Sequence, residues 1–250
     1  MNDPGMSLSD FDIREHIRAY HTLVGSDIQF AFQTIVDARH QDVVGFEALV
    51  RGIRKEPASQ VISRVAHDQR FSFDQACRVR AIEAAAKFGI DGKLHLNCTD
   101  VKAGNIDLVL EVTRHVAERN DIELRNIVLE LYNLEAIGRG RQIREVRDKI
   151  HEAGFMTLAD NFGSRDADLQ PVAAFQPTCL KLAHHLVDNI QDNPTAQAIV
   201  RGAIATCRSL GAAVIASGVE KAEEFRWLSE AGVEFFQGYF FAQPGMDEQT

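Results

Sequence analysis

From residue 93 onward the chain alternates between short β-rich runs and longer amphipathic runs of helical period. This regularity constrains the fold more than any other feature. The β-rich runs cover 93–98, 127–132, 155–160, 178–182, 212–216 and 234–239, and helical runs cover 106–119, 140–153, 166–175, 195–210 and 221–231. Such alternation builds parallel βαβ units, because each helix carries the chain back to start the next strand in the same direction. Upstream, runs 28–38 and 43–51 are separated only by Arg39, His40, Gln41 and Asp42. A connection that short makes the two strands antiparallel. Eight strands suffice to close a barrel. The expectation is therefore α/β: a modified (β/α)8, TIM-like barrel with one antiparallel strand.

The remaining segments fit around that frame. Residues 1–6 read as a leader. Leu8, Phe11, Ile17, Tyr20 and Val24 recur at roughly helical spacing, which predicts an amphipathic helix over 7–24 that packs on the body. Helices are also expected over 58–67 and over 72–88, the second capped by Ser72 and stopped at Gly89. No repeat or linker is visible, so 1–26 reads as leader and helix and 27–250 as one barrel domain. No apolar run approaches the ~18 residues of a membrane span, and the first ten residues lack the pattern of a secretory signal. A net charge of −9 argues against a DNA partner. Cys77, Cys98, Cys179 and Cys207 show no C-x-x-C or zinc spacing and read as reduced thiols of a cytoplasmic protein. The doublet His184-His185 reads as a solvated helix start.

Polar residues interrupt the strands in a pattern. Glu47 lies in VGFEALVRG, Asn97 in LHLNC and Glu130 in VLELY. Asp160 lies in TLADN, Lys181 in CLKLA and Gln237 in FFQGY. After the opening hairpin, each falls toward the C-terminal end of its strand, where barrel proteins build their sites. On the second strand, Glu47, Leu49 and Arg51 share one face by the two-residue period. Three carboxylates on one buried face repel and are costly unless compensated. A divalent cation with oxygen ligands would compensate them. Pairing with Lys181 or with backbone amides is the other way to do so.

The FAFQTIVD and EALVR segments, followed in order by the motifs above, resemble the EAL-domain family over about residues 28–244. That family comprises cyclic di-GMP phosphodiesterases and degenerate relatives. The resemblance implies two metal ions flanking an attacking water. It assigns Glu47, Asn97, Glu130 and Asp160 to the first ion, Gln33, Leu49, Arg51 and Gln237 to the ligand groove, and remnant catalytic roles to Lys181 and Glu220.

The departures are as informative as the matches. The family's DDFGTG reads DNFGSR here, placing Asn161 for Asp and Arg165 for Gly. LKID reads LKLA, with Ala183 for Asp. AEGVE reads ASGVE, with Ser217 for Glu. The Glu that ends the family's E-[IL]-T-E has become Asn133, and FQPIVD reads FQTIVD with Thr34. An amide, a methyl and a hydroxyl do not replace anionic ligands of a hard cation. The resemblance, so altered, implies one Mg²⁺ or Mn²⁺ and no second metal site. It implies a receptor for cyclic di-GMP that does not hydrolyse it. A nucleotide-independent, protein-binding regulator and a weakly active phosphodiesterase are the alternatives. A homodimer through helices beside 160–165 is a further expectation.

Overall fold

The computed structural model describes residues 9–25, 27–164 and 169–245. The strands are β1 (Ile28–Asp37), β2 (Asp42–Gly52), β3 (Lys93–Cys98), β4 (Ile127–Leu131), β5 (Met156–Phe162), β6 (Cys179–Leu182), β7 (Ala213–Ser217) and β8 (Phe235–Gln237). They close into a barrel in sequence order. β1 runs antiparallel to both of its neighbours, β2 and β8, and every other pair is parallel. The four-residue turn makes β1 and β2 antiparallel, and the parallel pairing of β2 with β3 makes β1 the reversed strand.

Around the barrel lie α1 (Asp10–Val24), α2 (Ala58–Ser63), α3 (Arg70–Lys87), α4 (Ile106–Arg119), α5 (Leu134–Ile137), α6 (Arg141–Glu152), α7 (Leu169–Phe175), α8 (His184–Val187), α9 (Pro194–Leu210) and α10 (Ala222–Ala231). α1 begins with a reciprocal cap, in which Ser9 Oγ accepts from Asp12 N and Asp12 accepts from Ser9 N. Its Ile13, Tyr20 and Val24 join the main core against α3 and α4. The leader at 1–6, the start of the first predicted helix and the start of the helix predicted over 166–175 lie outside the described residues.

Two boundaries differ from the sequence expectation. α2 ends at Ser63 rather than at 67, because the N–H of Val65 turns back to Ile62 O and a 3-10 turn over His67–Gln69 follows. That turn leads straight into α3 at Arg70, so Ser72 lies inside the helix and is not its cap. The doublet His184-His185 does open a helix, α8, with both side chains exposed.

Two layers fill the barrel. Ile35, Val128, Leu158, Cys179 and Ile215 form an apolar plug. Two residues further toward the mouth on the same strands stand Gln33, Glu130, Asp160, Lys181 and Ser217, β1 running in reverse. Since successive side chains alternate in and out, a two-residue step keeps each in the interior and moves it up one layer. The polar layer is thus positioned by the strands themselves. β8 ends at Gln237, and at the following Gly238 a Cβ would collide with the backbone of Val219.

A buried ion pair locks α3 to the end of β3. Arg78 is 2% exposed and donates to Asp74, to Asn97 O (3.0 Å) and to Cys98 Sγ (3.4 Å). Asp74 in turn accepts from Thr99 N (3.0 Å) and Thr99 Oγ1 (2.8 Å). Removing one member leaves the other as an unpaired buried charge, which costs about 3–5 kcal/mol. Arg78→Met is expected to lower unfolding free energy by about that amount in urea denaturation.

Candidate functional site

The polar layer is organised by Lys181. Its Nζ donates to Glu130 Oε2 (2.6 Å), Glu130 Oε1 (2.7 Å) and Glu47 Oε2 (3.0 Å). Glu47 also accepts from Gln237 Nε2 (2.7 Å) and Asn97 Nδ2 (3.1 Å). Gln237 Nε2 reaches Gln33 Oε1 at 3.1 Å, which ties β8 to the reversed strand. Glu130 has a further partner in His95 Nδ1 at 2.8 Å. Glu47, Glu130, Lys181 and Gln237 are each less than a tenth exposed.

Burial and charge act against each other here. Burial opposes ionisation of Glu47, but the Lys181 charge and three side-chain donors outweigh it and hold its carboxyl at about 2. Glu130 is enclosed and faces Glu47, which together push it up to about 8 against the pull of Lys181. Burial likewise raises Asp160 to about 6. Burial, then the neighbouring Lys181 charge, drop His95 to about 3, so its imidazole is neutral. Burial alone would lower Lys181, but Glu130, Glu47 and Asp160 keep it raised and charged.

The four residues assigned to the first metal share this layer. They are hard oxygen donors, and three carboxylates face one ammonium, so their chemistry and charge suit a divalent cation. Their present arrangement is different. N–H donors surround Glu47 and Glu130, and Asp160 accepts from Asn161 N at 2.6 Å. Among the described residues no three His, Cys, Asp or Glu side chains converge on one point.

The departures sit at the rim. Asn161 has a left-handed backbone (φ 60°), and its Nδ2 donates to Tyr132 Oη at 3.0 Å. Asn133 caps α5 by accepting from Ala136 N at 3.2 Å. Ala183 precedes α8, with its N–H on Phe162 O. Ser217 ends β7 opposite Gln237. Glu220 lies beyond β7 with an exposed side chain that makes no hydrogen bond among the described residues, so the fold does not draw it into the Lys181 network. Arg165 lies outside the described residues.

Arg51, half-buried near the end of β2, donates to Val50 O at 2.9 Å and pairs with no carboxylate among the described residues. A cavity of ~490 Å³ between the barrel and the flanking helices is lined by Glu47, Leu49 and Asn97 from the strands and by Arg70, Phe73 and Arg78 from α3, and Arg51 is not among its lining residues. Four residues escaped the sequence reading. His95 was detectable as the inward residue two before Asn97, and Asp74–Arg78 as an i,i+4 pair on a helix. Tyr132 carried no signal.

The EAL domain family matches residues 18–244. The chain is 28% identical over 215 residues to the blue light- and temperature-regulated antirepressor BluF of Escherichia coli, covering 86% of this chain and 53% of that protein. It is 24% identical to the probable cyclic di-GMP phosphodiesterase PdeN of Escherichia coli, covering 86% of this chain and 43% of that one. The chain thus spans about half the length of these relatives. Among solved structures, a standalone versatile EAL protein from Vibrio cholerae O395 in its c-di-GMP bound form aligns with TM-score 0.82 and 37% identity, covering 88% of this chain and 93% of that one. Klebsiella pneumoniae BlrP1, in a calcium/cy-diGMP complex, aligns with TM-score 0.80 and 28% identity, covering 88% and 56%.

A pH signature follows from Asp160. Its folded carboxyl binds a proton more tightly than the ordinary value of 3.8 allows. The contribution of Asp160 to folding stability therefore falls as pH rises from about 4 to about 6 and then levels off. In metal-free buffer, Asp160→Asn removes that loss. The variant is expected to gain on the wild type between about pH 4 and pH 7 in urea unfolding, and no gain at neutral pH would refute the burial account.

Proposed function

The chain belongs to the EAL-domain family, and from that premise we propose that it is a degenerate member that binds cyclic di-GMP without hydrolysing it. The observation that carries this reading is the Arg51 guanidinium, which pairs with no carboxylate among the described residues and is kept with Gln33 and Leu49. A guanidinium presents a planar fork of donors that grips a phosphate through two parallel hydrogen bonds. Cyclic di-GMP carries two such phosphates, and Leu49 and the adjoining cavity offer apolar surface for the rest of the ligand. The c-di-GMP-bound structures of the Vibrio cholerae and Klebsiella pneumoniae relatives support the choice of ligand.

The residues present favour binding over turnover. Asn161, Ala183 and Ser217 stand where the family places carboxylates, so nothing at those positions holds a second ion or accepts a proton. Lys181 has its donors on Glu47 and Glu130 and Glu220 points to solvent, so neither is set to act on a bound phosphodiester. A single divalent ion held by Glu47, Asn97, Glu130 and Asp160 would supply positive charge for a phosphate oxygen. The likeness to an antirepressor favours a second reading, a protein-binding regulator that needs no nucleotide.

Calorimetry with cyclic di-GMP, beside a hydrolysis assay in Mg²⁺ and in Mn²⁺, tests the first reading. Binding is expected without turnover, and turnover of about 1 s⁻¹, inside the ordinary enzyme range, would overturn it. Hydrogen bonds to charged groups contribute about 1.5–3 kcal/mol, so Arg51→Ala is expected to weaken binding roughly 10- to 150-fold. Absence of wild-type binding at about 1 mM nucleotide (a free energy near −4 kcal/mol) would transfer the case to the protein-binding reading.

A further inference from the structure

The two buried glutamates at the barrel mouth are surrounded by donors, and a metal needs acceptors. Glu47 receives N–H groups from Lys181, Gln237 and Asn97, and Glu130 receives two from Lys181 and shares a hydrogen bond with His95 Nδ1. An ammonium has three protons and no acceptor, and all three contacts of Lys181 are to these carboxylates. Asn161 bonds Tyr132 and position 183 is Ala, so those two positions offer Lys181 no alternative anion. Asn97 also presents its amide nitrogen to Glu47, and its oxygen would have to rotate inward to serve a cation.

We propose that Lys181 is the resident cation of this site and sets its affinity for a divalent ion. Its ammonium and a divalent ion compete for the same oxygens of Glu47 and Glu130. An ion enters only when Lys181 withdraws, and the withdrawn ammonium then becomes free to contact a ligand. In the Lys181-filled state Arg51 and the cavity-lining Arg70 are cations left for a phosphate, so ligand binding in that state needs no divalent ion. The proposal rests on reading these four residues as the cation site of the preceding section. Its test contains no nucleotide, so its failure and the failure of the cyclic di-GMP reading are separate results.

The experiment is a Mn²⁺ titration followed by electron paramagnetic resonance, on the wild type, Lys181→Met and Lys181→Gln. Removing a like charge within about 4 Å of the entering ion is expected to tighten Mn²⁺ binding by at least tenfold. Adding Glu130→Gln to either variant is expected to abolish the gain, which places the ion among these carboxylates. A gain below tenfold, or a gain that survives Glu130→Gln, overturns the proposal. Lys181→Gln keeps a hydrogen-bonding group of similar reach and serves where the methionine variant does not fold. The wild type decides by itself if neither folds: Mn²⁺ binding tighter than about 10 µM with Lys181 intact overturns the proposal, and weaker binding supports it.

Discussion

The contact on which the barrel mouth depends is the one between Lys181 and its two glutamates. Burying a carboxylate is costly, and burying two that face each other is costlier still. A single ammonium at 2.6–3.0 Å from both makes the arrangement tolerable, and the amides of Asn97 and Gln237 take up the remaining lone pairs of Glu47. The group comes from β2, β3, β4, β6 and β8, so it also joins strands that are not neighbours. Lys181 therefore acts on structure and on chemistry at once. The proton that holds the floor together is one that a ligand phosphate does not receive.

The layer beneath explains why this network stands at the mouth. Val128, Leu158, Cys179 and Ile215 seal the far end of the barrel with apolar side chains. One two-residue step along each strand exchanges that surface for Glu130, Asp160, Lys181 and Ser217. Outside the barrel, the Asp74–Arg78 pair grips Asn97 O and Thr99, which fixes the end of β3 and with it the Asn97 amide. The same alternation that packs the core aims the polar groups, and a buried pair on a neighbouring helix steadies one of them.

The positions where the chain departs from its family are put to other uses. Asn161 is tied to Tyr132, Asn133 caps a short helix, and Ala183 contributes only its backbone at the start of α8. Asn161 and Asn133 each hold a local hydrogen bond at the rim, and on the proposed reading the uncharged residues at 161, 133 and 183 favour retention of an anion over catalysis on it.

Apart from the short helix α5 and the inward His95, the order of strands and helices, the antiparallel opening hairpin and the identity of the inward polar residues were legible in the sequence. Each follows from a local rule: the period-two alternation, the strand–helix rhythm, and a four-residue turn too short for a parallel crossover. Helix ends were less legible at α2 and α3, where a 3-10 turn took the place of the expected Ser72 cap. The partners of the polar residues were decided only by the tertiary structure. Glu47 and Lys181 stand 134 positions apart and Glu47 and Gln237 stand 190 apart, yet closure of the barrel brings them into hydrogen-bond contact. A motif fixes which groups face inward. Which of them an ammonium satisfies, and which stay free for a ligand, depends on distances that arise only when the first strand meets the last.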